Sequence, residues 1–263
     1  MFDFIFDIPL LIAGPAILII LCVYALIGLR VIHRWLLPRL QVSSADSEFT
    51  GAMLQSVMVF YGLAVALIAV SVWGTYGEIS HSVSAEATSL AALYRDVGGY
   101  PEPIRSQLQS ELREYTKSVI NEAWPQQRQG KLPTGGVKLM DRFQSTLIAF
   151  EPKTEGQKIL HAEALRAYNQ MIQARRLRLD SVKTGLPGIL WLVVVAGAFI
   201  GLSATFFFRV DDRRLHQLQV ILLAIFVGLV IFMILALDRP FRGDLGVGPE
   251  PYQLIHEQLM VPS

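Results

Sequence analysis

Apolar and polar positions separate along this chain into long blocks. Four runs carry no charged side chain: Ile8 to Leu29, closed by Arg30; Phe49 to Gly77, between Glu48 and Glu78; Thr184 to Phe208, between Lys183 and Arg209; and Leu215 to Leu237, between Arg214 and Asp238. A helix needs about 20 apolar residues to cross a bilayer. The pattern therefore predicts spans at about 8–29, 50–76, 186–208 and 216–237. The first run is expected to stay as an anchor, because Asp3 and Asp7 stand where a cleavable leader carries lysine or arginine.

Between the second and third runs the period changes. Ile79, Val83, Leu90, Leu93 and Val97 recur at helical spacing, on a helix that can continue the second span, and Gly98-Gly99 ends it. Pro101 and Pro103 open a further helix with Ile104, Leu108, Leu112, Tyr115 and Val119 on one face, which Pro125 is expected to stop just past Trp124. The stretch 126–136, with Gly130, Pro133, Gly135 and Gly136, reads as a loop. A short helix from Val137 to Phe150 follows, then a longer one from about Thr154 to Val182 with Ile159, Leu165, Tyr168, Ile172 and Leu179 as its apolar positions. No strand-like alternation occurs. The expected class is all-α: an integral membrane protein with four transmembrane helices and a helical soluble domain inserted between the second and third. The expected division is 1–76, 77–184, 185–240 and a C-terminal tail, 241–263.

Composition agrees with this pattern. Of 263 residues, 52% are hydrophobic and only 17% charged, against the roughly 25% charged of ordinary soluble domains. A net charge of +1 gives no basis for nucleic acid as a partner, and leaves membrane lipids, ions and further copies of the chain as the expected ones. The lone Cys22 allows no internal disulfide. Five scattered histidines, no nucleophile motif and no phosphate-binding glycine loop argue against an enzyme and against a bound cofactor. Glu78-x-x-His81 has metal-ligand spacing, but that chemistry needs a second such pair, and no second pair exists. Arg175, Arg176, Arg178 and Lys183 form a basic run expected to snorkel toward lipid phosphates.

The second span carries the candidate site. At about 100° per residue, Gly51, Gln55, Gly62, Ala66, Ala69 and Trp73 share one narrow arc, while Phe60, Leu67 and Ser71 point away. Small residues let helices approach closely in lipid, and a glutamine in hydrocarbon must face protein or water. That face is either a helix contact or the lining of a pore at the centre of an oligomer. Gly197-x-x-x-Gly201, followed by Ala204, is a second close-packing motif, in the third span. No span contains a buried Asp, Glu, Lys or Arg, which argues against a proton- or ion-coupled transporter.

Several segments together resemble one family: Arg30 and Arg34 after the first span, Val72-Trp73, Ser84-Ala85-Glu86-Ala87, Leu93-Tyr94-Arg95, and Pro101 with Tyr115. Glu122-Ala123-Trp124-Pro125, the run Leu235 to Gly243 containing Asp238-Arg239-Pro240-Phe241, and Pro249-Glu250-Pro251 complete the pattern. It is similar to the bacterial bestrophin-like membrane family, over essentially the whole chain. The resemblance implies kinship with bestrophins, which are oligomeric anion channels with four spans per subunit and a helical cytosolic part. It implies a multi-pass protein of the bacterial inner membrane, and it marks Asp238, Arg239, Pro240 and Phe241 for docking the C-terminal tail. The function expected is a homo-oligomeric ion channel or conductance pathway. The alternative is a membrane-anchored sensor or scaffold whose helical domain binds a ligand or partner.

Orientation divides the two sources. Arg30, Arg34 and Arg39 after the first span, and Arg209, Arg213 and Arg214 after the third, place those connections in the cytoplasm and the inserted domain outside. Kinship with bestrophins implies the cytosolic side. The charge pattern is the preferred guide, so the inserted domain is expected to be extracytoplasmic.

Overall fold

The computed structural model describes residues 8–40, 44–208 and 212–261; Asp3, Asp7 and Arg209 lie outside them. Among the described residues every regular element is helical. In chain order these are α1 (Leu10–Val31), a π-turn (Ile32–Leu36), α2 (Leu37–Leu40), α3 (Ser44–Val97), α4 (Ile104–Ser118), a second π-turn (Val119–Ala123) and α5 (Trp124–Arg128). Then come α6 (Gly135–Ile148), α7 (Glu155–Asp180), a 3-10 turn (Ser181–Lys183), α8 (Gly188–Thr205), α9 (Arg213–Asp238), α10 (Glu250–Ile255) and a third π-turn (His256–Met260). Four helical segments are long and apolar enough to cross a membrane: Leu10–Arg39, Gly51–Val97, Gly188–Thr205 and Arg213–Asp238. The chain forms two compact units, one of residues 1–74 and 185–238, the other of 75–184 and 239–263.

Boundaries differ from the sequence expectation where local chemistry overrides hydropathy. Pro125 does not stop the helix: the chain passes through a π-turn, closed by the Trp124 N–H on the Val119 carbonyl, into α5, which holds Pro125 in its first turn. The loop shrinks to 129–134, and Gly130 takes a positive φ of 70° in its turn. The third span ends at Thr205, and Asp212 opens α9 by accepting the N–H groups of Arg214 (2.8 Å) and Leu215 (3.3 Å). In α7 the predicted stripe is displaced. Ile159 is exposed, and the buried positions are Ala164, Ala167, Tyr168, Met171, Ala174 and Arg178. Thr154 starts this helix with a reciprocal capping box to Gln157.

In the first unit, glycine lets helices touch through aromatic side chains. A Cβ at Gly28 would collide with Phe206, and one at Gly14 would lie 3.1 Å from Phe232. Gly197 lies against Tyr61 and Gly201 against Met58 Sδ, 2.7 Å from the position of a Cβ; Ala204 is half-buried. Leu21, Ala25, Val65, Ile68, Val72, Val194, Ala198, Val220 and Ala224 fill the core. Two tyrosines bond within the unit: Tyr24 Oη meets Ser203 Oγ at 2.6 Å, and Tyr61 donates to the Val194 carbonyl at 2.7 Å. The stripe of span two that packs inside the chain is Tyr61, Val65, Ile68 and Val72, distinct from both faces marked by the sequence.

The second unit buries the expected apolar positions of α3, namely Ile79, Val83, Leu90, Leu93 and Val97, against α4, α6, α7 and the tail. Leu108, Leu112, Tyr115, Phe143, Leu147 and Met171 are fully enclosed. Each leucine buried this way contributes about 1.5–3 kcal/mol relative to exposure. The tail adds Phe241, Val247, Tyr252 and Met260 to the same core.

Candidate functional site

The small-residue face of span two is largely open on the chain. Gln55, Gly62, Ala66 and Trp73 are exposed, Trp73 to 66%. A Cβ at Gly62 would meet nothing within 4 Å, whereas one at Gly51 would lie 3.3 Å from the Phe208 ring. Gly62, Ala66 and the half-buried Ala69 line one wall of an apolar groove of about 500 Å³, with Phe226, Val227 and Val230 opposite. Among the described residues no hydrogen bond reaches the Gln55 amide. Gln55 lies about 10 Å along the helix axis from Glu48, within the apolar run.

The second unit holds a polar constellation that the sequence reading did not assemble. Glu86 (0% exposed) and Arg178 (1%) form a two-pronged ion pair, Nε to Oε2 at 2.7 Å and Nη2 to Oε1 at 3.1 Å. Tyr115 donates its hydroxyl to Glu86 Oε1 at 2.7 Å. The guanidinium lies 5.6 Å from the Trp124 ring centre and 5.7 Å from that of Tyr252, within cation–π range. Arg178 is therefore corrected: it does not snorkel toward lipid but closes the core, because a charge this deep is tolerable only when paired. Burial alone would lower its pKa, yet the Glu86 carboxylate, followed by Tyr252 and Tyr115, holds it well above the usual value. Burial first, and the Glu86 charge second, push the Tyr115 and Tyr252 hydroxyls far up. Arg178 thus stays charged and both tyrosine hydroxyls stay protonated across physiological pH, as a structural clamp requires.

The run 238–241 is also internal. In the first unit Asp238 is 5% exposed and accepts the N–H of Leu186 and, at 3.1 Å, the indole N–H of Trp191, fixing the approach to α8. In the second unit Arg239 donates to the carbonyls of Lys183 (3.1 Å) and Thr184 (3.4 Å). Pro240 accepts the Val247 N–H at 2.6 Å, and Phe241 lies edge-on to Trp124 at 5.8 Å. Trp124 donates its indole N–H to the Val247 carbonyl at 3.3 Å, and Arg242 donates to the Gln129 carbonyl at 2.9 Å. Glu78 and His81 lie exposed on α3.

Long apolar helices, glycine–aromatic packing and a helical unit closed by an internal ion pair define the class, an all-helical protein with four candidate membrane spans. The family model of the bestrophin-like domain matches residues 19–252, and the chain belongs to the bestrophin-like family. Among solved structures, the fold is similar to a variant of a bacterial bestrophin homologue from Klebsiella pneumoniae, with a TM-score of 0.66 and 11% identity over 93% of this chain and 96% of that one. A second solved structure, described as a membrane protein with a single substitution, gives a TM-score of 0.65 at 10% identity, again over 93% and 96%. At such identities the likeness is one of fold. No curated protein sequence matches the chain.

Proposed function

We propose that the protein is a homo-oligomeric ion channel or conductance pathway, with the small-residue face of span two, and Gln55 as its polar element, at the contact between protomers or along the pathway. One observation carries this reading: the Gln55 amide, within an apolar run, has no hydrogen-bond partner among the described residues of its own protomer. An amide left unpaired in hydrocarbon costs at least about 1–3 kcal/mol, so water or a neighbouring copy is the natural partner. Membership of the bestrophin-like family supports the same reading. Residues 77–184 then form a soluble domain inserted between spans two and three. The tail closes on the same core as these residues, which supports an even number of crossings between them. The arginines after spans one and three favour the extracytoplasmic side for both.

The test uses thiol chemistry in liposomes holding the purified protein. Gln55→Cys should react with a small charged reagent from the aqueous phase and change conductance, or crosslink between copies. A thiol that is inert, uncrosslinkable and neutral for stability would overturn the reading. Gly130→Cys, on the turn after α5, should be labelled from the extracytoplasmic face; labelling from the cytoplasmic face reverses the orientation. A crosslinked dimer without conductance would favour the membrane-anchored sensor or scaffold.

A further inference from the structure

Two of the three π-turns meet across a polar cleft in the second unit. The cleft, about 410 Å³, is lined by Lys117, Ile120, Asn121, Gln253, His256 and Glu257. Ile120 and Asn121 come from the π-turn that follows α4, and His256 and Glu257 from the π-turn that follows α10. A π-turn holds one residue more than an α-turn, which rotates the following residues by about 100°. Such turns are rare and recur at functional sites, because they aim side chains that a regular helix would place elsewhere.

The polar groups of this cleft are unspent. Among the described residues, the side chains of Lys117, Asn121, Gln253, His256 and Glu257 make no hydrogen bond or ion pair within the chain. Lys117 and Glu257 carry opposite charges and line one cleft, yet they do not pair with each other. His256 Nε2 is buried without a partner, although buried polar atoms are almost always satisfied. The exposed ion pairs elsewhere in this unit, such as Arg105–Glu102 at 2.6 Å and Lys158–Glu155 at 2.7 Å, show that charged neighbours on this surface do close when geometry lets them. The volume lies within the range of small-molecule sites.

We propose that this cleft binds a small zwitterion, a molecule bearing a carboxylate and an ammonium on the same carbon as free amino acids do. Lys117 receives the carboxylate; Glu257 receives the ammonium; the Asn121 and Gln253 amides, each donor and acceptor, contact the remainder. Such a ligand bridges α4 and its π-turn to the tail and stabilises the docked tail by linkage. The proposal is independent of conductance, and its readout is binding.

The full-length protein in detergent is titrated calorimetrically with glycine, L-alanine and L-glutamine, and its melting midpoint is followed in parallel. At least one of these should bind and raise the midpoint, whereas acetate and methylammonium, each carrying half of the charge pattern, should bind at least tenfold more weakly. Lys117→Met and Glu257→Gln should each weaken binding at least tenfold and leave the ligand-free midpoint unchanged, since both side chains are exposed. No binding by any of the three amino acids up to about 10 mM would overturn the proposal. Acetate binding as tightly as glycine would overturn it in favour of a simple anion site, and unchanged affinity in both variants would overturn the location.

Discussion

The two units of this chain solve the packing problem with different materials. Residues 1–74 and 185–238 pack by removing side chains. Gly14, Gly28, Gly197, Gly201 and Gly228 leave room for Phe232, Phe206, Tyr61, Met58 and Leu18, and the outward surface is apolar, with Leu11 85% and Phe60 74% exposed. Residues 75–184 and 239–263 pack by adding side chains: aromatic rings, long aliphatics and one buried ion pair fill the interior, and exposed ion pairs cover the outside. In lipid, apolar surface gains little by leaving its solvent, so close van der Waals approach must hold helices together. In water, burial of apolar area drives folding. An ion pair such as Glu86–Arg178 then adds little net stability, but makes any arrangement that separates its partners expensive.

The sharpest way to break this contrast is Arg178→Met. It leaves Glu86 charged and unpaired at 0% exposure, and should cost about 3–5 kcal/mol. Thermal melts in detergent should show the loss, and Glu86→Leu combined with Arg178→Met should recover most of it. If the single variant melts like the parent, the pair is not the clamp described.

A smaller effect separates glycines that pack from glycines that do not. Gly197→Ala puts a methyl into the Tyr61 ring and should cost about 1–3 kcal/mol. Gly62→Ala meets nothing within 4 Å in the chain, so it should leave the protomer intact. Any change it produces should appear in the size of the assembly, measured by light scattering. Equal losses of melting temperature in the two variants would erase the distinction.

The smallest expected effect depends on pH. Burial, then repulsion from Glu163, raises the Asp96 carboxyl above its ordinary range. The folded state thus holds this proton more tightly than the unfolded chain. The associated stability is full below the ordinary carboxylate range and is lost as pH rises through the raised value. Asp96→Asn should therefore stabilise the protein at pH 7 by no more than about 0.5 kcal/mol and make no difference near pH 3. Tyr100, pushed up to about 12 by burial and then by Asp96, acts in the same sense at the alkaline end, with stability falling as pH rises from about 10 to about 12. Destabilisation by Asp96→Asn at pH 7 would show that the carboxylate has a favourable contact instead.

Much of the fold was legible in the sequence, because hydropathy and helical period are local properties. The four apolar runs, the apolar stripe of α3 and the close-packing glycines of span three all follow from residue type and spacing. Even the buried ion pair left a trace. Glu86 occupies the core register of α3 between Val83 and Leu90, and Arg178 continues the register Ala164, Ala167, Met171, Ala174 on α7. A charge in a buried register is a pairing signal, but it names no partner. Only the tertiary structure brought residues 92 positions apart together and turned a basic run into one core arginine, with Arg175 half-buried and Arg176 and Lys183 exposed. It alone decided that the Gln55 arc stays open while Tyr61, Val65, Ile68 and Val72 are covered, because a helix's bare periodicity says which residues share a face and not which face meets a neighbour. The π-turns lie beyond sequence for the same reason. An extra residue in a turn is paid for by contacts elsewhere in the fold, and no local pattern records them.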